Sequence, residues 1–128
     1  MGDGGYEPKV SEPSTFDQII QFVGGTAAVT KVFGAGVTVT YVSTGLVDIT
    51  WSSNHSKPGT FLGPKSGFVH ATTAANVKGY SVTCGVYNVS TRTLRVSIYD
   101  ASNNLVDLAA LQWATFVIAF LTAGVIGS

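Results

Sequence analysis

Polar and apolar residues alternate along most of this chain with the period of two that belongs to a half-buried strand. In residues 37–42, Val37, Val39 and Tyr41 share one side; in residues 46–51, Val47, Ile49 and Trp51 point one way while Asp48 and Thr50 point the other. Residues 93–99 repeat the pattern with Leu94, Val96 and Ile98 set against Arg95 and Ser97. Further strands are predicted over 26–33, 68–73 and 80–89, the last with Tyr80, Val82, Cys84 and Val86 facing inward. Gly34-Ala35-Gly36, Ser43-Thr44-Gly45 and the run from Asp100 to Asn104 supply turn chemistry between them. About seven to nine short strands at this spacing predict an all-β, antiparallel β-sandwich or jelly roll. No amphipathic helix competes beyond one short turn, expected where Ser14 or Thr15 could cap residues 16–22.

Residues 113–121 break the alternation. Phe116, Ile118 and Phe120 lie on one face and Val117, Ala119 and Leu121 on the other, so neither side is built for water. Such a strand belongs at the centre of a sandwich or in a subunit interface. Trp113, Phe116, Ile118 and Phe120 are therefore candidates for core or oligomer contact. Residues 1–18 differ from all that follows, with two of the four prolines and four of the seven acids. They read as an extended N-terminal arm, disordered alone and held by a neighbouring chain, ahead of a β-sandwich domain over 19–128. Tyr6, Pro8, Val10, Pro13 and Phe16 are its candidate contact residues.

The charge balance narrows the classes of partner. Only 11% of the 128 residues are charged and the net charge is zero, about half the usual share for a soluble domain. So few charges protect a free monomer poorly against association, which implies surface that another copy or another protein covers. Seven basic and seven acidic residues, scattered in sequence, make no footprint for phosphate backbones, so nucleic acid is not an expected partner. Residues 113–126 fall short of a membrane-spanning helix and are rich in strand formers, so no membrane partner is expected either. The first five residues lack the basic and apolar regions of a signal peptide.

Catalytic templates find little support. His55 and His70 lie 15 residues apart with no Cys, Asp or Glu at metal-ligand spacing. Beyond the arm the carboxylates are Asp48, Asp100 and Asp107, of which Asp100 opens a turn and Asp107 is a turn residue or a partner for Arg92 or Arg95. The single cysteine, Cys84, has no elbow or helix start to lower its pKa, so pairing it with His70 as nucleophile and base is outweighed by a buried structural thiol. No enzyme activity, metal or cofactor is expected. The polar loop over 52–67, with Asn54, His55, Lys57 and Phe61, is the best candidate for a surface-binding contact.

The phrase Ser43-Thr44-Gly45-Leu46-Val47-Asp48-Ile49-Thr50-Trp51 resembles the "glycine, apolar, x, apolar, x, aromatic" strand of C1q-like β-sandwich modules in tailed-bacteriophage structural proteins. Residues 93–107, followed by the apolar strand 113–121, are similar to the last hairpin of such modules, and the likeness spans 37–121. The resemblance implies a jelly roll that assembles as a homotrimer about its apolar strands on a virion surface. This chain departs from the fibre-tip version in showing no coiled or collagen-like stalk ahead of the module. A jelly roll with a short arm fits a capsid decoration, or cement, protein that binds the major capsid protein and stabilises the lattice. The alternative is a receptor-binding head of a tail fibre or spike, recognising a host glycan or protein through loop 52–67.

Overall fold

In a computed structural model, which describes residues 15–52 and 60–121, the alternation of the sequence becomes two packed sheets. The strands are β1 (Thr15–Gly25), β2 (Ala28–Phe33), β3 (Val37–Ser43), β4 (Leu46–Trp51), β5 (Thr60–Ala71), β6 (Ser81–Asn88), β7 (Thr93–Tyr99) and β8 (Gln112–Leu121), with one 3-10 turn at Ala74–Asn76. One sheet runs β2-β1-β8-β5 and the other β3-β4-β7-β6, every ladder antiparallel. Hairpins join β1–β2, β3–β4 and β6–β7, while β1–β8, β4–β7 and β5–β8 are the long-range pairings. The corners of the sandwich are formed where β2 passes β3 and β5 passes β6. The expected β-sandwich is present.

The core lies between the sheets and follows the inward parity of the central strands. Ile20 and Phe22 of β1 and Ala114, Phe116 and Ile118 of β8 are fully buried against Val47 and Ile49 of β4 and Leu94, Val96 and Ile98 of β7. One end of the core is aromatic: Trp51 meets Phe61, Tyr87 and Phe120 edge-on, and Phe61 stacks on Tyr87 at 4.0 Å. The indole N–H of Trp51 donates to Gln18 Oε1 at 2.7 Å, which pairs a polar atom that would otherwise be buried alone. Leu108 closes the opposite end, and its backbone approaches Gly24 so closely that a Cβ there would lie 2.4 Å from it. Asp107 fixes the segment before β8 by accepting from Tyr41 Oη at 3.0 Å and from the Gly45 N–H at 2.8 Å. Gly45 is required twice over, by its φ of +73° and by Leu105 and Val106 beside it.

Three expectations are corrected. Residues 16–22 form no helical turn: Phe16, Gln18, Ile20 and Phe22 alternate with Asp17, Ile19, Gln21 and Val23, and the strand they make pairs with β8 from Thr15↔Leu121 to Val23↔Trp113. The sandwich thus begins by Thr15, and Phe16 is not an arm residue but stacks on Phe120 at 5.2 Å beside the core. In β6, a bulge between Cys84 and Tyr87 shifts the parity, so Tyr87 packs inward and Val86 is 79% exposed rather than facing the core. Of the two roles left open for Asp107, the pairing with an arginine is not made: Arg95 binds Asp48, and Arg92 donates to the Trp51 carbonyl oxygen at 3.2 Å.

Candidate functional site

Each sheet presents one side to the core and one away from it, and the two outward sides differ in chemistry. On the β3-β4-β7-β6 sheet the outward positions fall in register as Thr38, Thr50 and Thr93 in one row and Thr40, Asp48 and Arg95 in the next. Ser97 and Thr83 continue the pattern. The hydroxyls of Thr50 and Thr93 lie 3.0 Å apart in a hydrogen bond. The Arg95 guanidinium grips Asp48 with two nitrogens, Nε to Oδ1 and Nη2 to Oδ2 at 3.2 Å, and that hydrogen bonding holds the Arg95 proton more firmly than usual. A shallow groove of about 660 Å³ runs along this side between the Asp48–Arg95 pair, Asn88, Thr91 and Val86.

The outward side of the β2-β1-β8-β5 sheet is apolar and aromatic. Its rows, read across β1, β8 and β5, are Val23, Trp113 and His70; Gln21, Thr115 and Phe68; Ile19, Val117 and Ser66. His70 stacks on Trp113 with centroids 5.7 Å apart and planes 11° from parallel, and Phe68 lies 5.9 Å from His70. Ile19, Phe33 and Phe68 are each about half exposed, at 47%, 58% and 49%. Thr115, 8% exposed at the centre, accepts a hydrogen bond from Gln21 Nε2 at 2.9 Å. The charged side chains on these four strands are Asp17, Lys31 and Lys65. Asp17 and Lys65 pair at 3.1 Å at one end, and the Lys31 ammonium donates to the carbonyl oxygens of Gly34 and Val37.

These placements sort the candidates raised by the sequence. Phe116, Ile118 and Phe120 are core residues, with 0%, 0% and 5% exposure, so they are not available to another subunit. Trp113 has the opposite parity and lies on the outward aromatic side. Phe61, assigned to the surface loop, packs against the core in the Trp51–Tyr87 cluster because its register partner Phe120 draws it inward. Asn54, His55 and Lys57, like the arm residues Tyr6, Pro8, Val10 and Pro13, lie outside the described residues. The sequence reading did not single out Ile19 and Phe33, which with Phe68 are the half-exposed apolar residues that share the outward side with Trp113.

For the chemistry of catalysis, Cys84 and His70 are separated by the fold. Cys84 packs against the core from β6, where burial pushes its thiol up to about 11, while His70 stands on the outward side of β5. Asp100 is a turn acid whose carboxylate accepts from the backbone N–H of Asn104 and of Ser102, which lowers its pKa. Among the described residues no three of His, Cys, Asp and Glu gather at a metal-binding distance, and no helix is long and apolar enough to cross a membrane. The arrangement is equipped for contact between surfaces: one side can be desolvated at little polar cost and the other holds its polar groups in water. Comparison with protein families, curated proteins and solved structures found no match to this chain.

Proposed function

We propose that this protein is a non-enzymatic structural protein of a tailed-bacteriophage virion, a decoration or cement protein on the capsid surface that binds the major capsid protein and stabilises its lattice. The observation that carries the reading is the apolar outward side of the β2-β1-β8-β5 sheet in a chain of 11% charged residues. Half-exposed Ile19, Phe33 and Phe68 together with Trp113 on one side support an interaction surface there. Its burial against another protein contributes roughly 25 cal/mol per Å² before the cost of association is subtracted. The jelly-roll and C1q-like description belongs to the same proposal, as does a second contact made by residues 1–14. The test is sedimentation with empty capsids of the source particle, comparing the full chain with a deletion of residues 1–14. The full chain is expected to co-sediment and the deletion to bind at least about tenfold more weakly while keeping its β-sheet circular dichroism. A full chain that stays in the supernatant at every salt concentration contradicts the reading.

A second reading rests on the groove beside Asp48 and Arg95. Its mixed lining of threonine, asparagine, a charged pair and one exposed valine suits a receptor-binding head that takes a host glycan or protein. It predicts binding to host envelope material that is lost with Arg95→Ala and kept with Ile19→Lys.

A further inference from the structure

We infer that the outward side of the β2-β1-β8-β5 sheet is where two copies of this chain meet, sheet against sheet about a two-fold axis. The inference rests on reading the protein as an assembling structural subunit and names the occupant of its apolar side.

The first argument is charge. On this side Asp17 and Lys65 sit together at one end and neutralise each other, and Lys31 is tied to backbone carbonyls at the β2 edge. The other ionisable group on this side is the His70 imidazole, stacked on Trp113, so a second copy meets no uncompensated lysine, arginine or carboxylate, as an isologous contact requires because every patch faces a copy of itself or of its symmetry partner. Thr115 is already hydrogen-bonded to Gln21, so covering the centre leaves its hydroxyl paired.

The second argument is size. Four strands at about 4.8 Å spacing and about 30 Å length make a plane of roughly 600 Å², rougher at the atomic scale, against the roughly 800 Å² per partner of a standard interface. At the end of this plane where β8 begins, Trp113 with His70 stacked on it and Phe68 alongside supply aromatic anchors of the kind that carry much of the binding energy in such interfaces.

The third argument is closure. The opposite outward side carries Thr38, Thr40, Thr50, Thr93, Asp48 and Arg95, and among the described residues the exposed Val86 there is set among these polar groups. One self-complementary surface gives a closed pair; a ring of three requires two different surfaces on each subunit. The homotrimer implied by the family resemblance is replaced, for this surface, by a dimer.

The experiment is sedimentation velocity of the purified full chain over a range of concentrations, alone and with empty capsids. The wild type is expected to approach twice the 13.3 kDa of one chain. Ile19→Lys and Phe68→Glu, at half-exposed positions, each weaken dimerisation by roughly thirtyfold or more, and Thr83→Lys on the polar side leaves it unchanged. Acrylamide quenching of wild-type tryptophan fluorescence gives a readout that needs no variant. Trp51 is already 3% exposed in the single chain, so the fall in quenching as the dimer forms reports Trp113. A monomer at about 100 µM, far above the micromolar dissociation constants of ordinary specific complexes, overturns the inference. So does a trimer, a dimer indifferent to both substitutions, or quenching that does not change with concentration. Dimers that ignore capsids sink the capsid reading and leave this inference standing; monomers that bind capsids do the reverse.

Discussion

The two sheets are built from the same grammar and finish differently. In β4 and β7 every second residue is Thr, Ser, Asp or Arg apart from Leu46 and Tyr99 at one end, so the outward side is a lattice of hydroxyls with one ion pair. In β1 and β8 the same parity carries Ile19, Val23, Trp113, Val117 and Ala119, broken by Gln21, Thr115 and Asp17. A strand destined for water needs only one apolar face. β8 has two: the inner one is spent on the core, and the outer one carries Trp113, Val117 and Ala119.

The largest effect that separates the two sides of β8 is in stability. Phe116→Ala removes a fully buried ring stacked 6.0 Å from Phe22 and is expected to cost about 3–5 kcal/mol in denaturant unfolding. Val117→Ala, the next residue but facing outward, costs about 1 kcal/mol or less when measured on dissociated protein. Equal costs would mean that the outer side is also core. Next in size is Asp107→Ala, which strips partners from Tyr41 and the Gly45 N–H and is expected to lower stability by about 1–3 kcal/mol. If it is silent, the segment before β8 is held by Leu108 and by its backbone bonds, such as Val106 N–H to the Ile98 carbonyl oxygen at 3.0 Å.

On the polar side the expected effects are smaller. Arg95→Ala breaks a pair whose side chains are 44% and 22% exposed, for about 0.2–1 kcal/mol. That cost should shrink as salt is added; a salt-independent loss would show that the arginine acts through packing. Smallest is the alkaline response of Cys84. Burial raises its thiol from 9.0 to about 11, so the folded state keeps the proton longer than the unfolded chain. The associated stability is complete below about pH 9 and is lost between about pH 9 and 11. The thiol is half-buried, so the decline is shallow, and Cys84→Ser should flatten it in thermal melts taken across that range.

Much of the fold was legible where alternation was strict. Val47, Ile49 and Trp51 against Asp48 and Thr50, or Leu94, Val96 and Ile98 against Arg95 and Ser97, decide both strand and facing without any tertiary information. β1 was missed because acids and prolines upstream coloured the reading of residues 15–18, although Phe16, Gln18, Ile20 and Phe22 alternate as regularly as any later strand. Val86 was misplaced because nothing in Cys84-Gly85-Val86-Tyr87 announces a bulge except the glycine itself. The candidate surface was half legible. Two-faced β8 pointed to it, and assigning Trp113 and Phe116 to opposite sides needs only parity, whereas bringing Phe68 and Ile19 onto the same side as Trp113 needs the β5–β8 and β1–β8 registers.

The most direct test of the difference between the two sides is hydroxyl-radical footprinting of the full chain, dilute and concentrated, with side-chain oxidation read by mass spectrometry. Trp113, Phe68 and Ile19 report the apolar side, and Leu46 and Tyr99 report the polar one. The account predicts that oxidation of the first three falls severalfold on concentration while the last two are unchanged. Protection of Leu46 and Tyr99 instead, or no protection on either side, would contradict it.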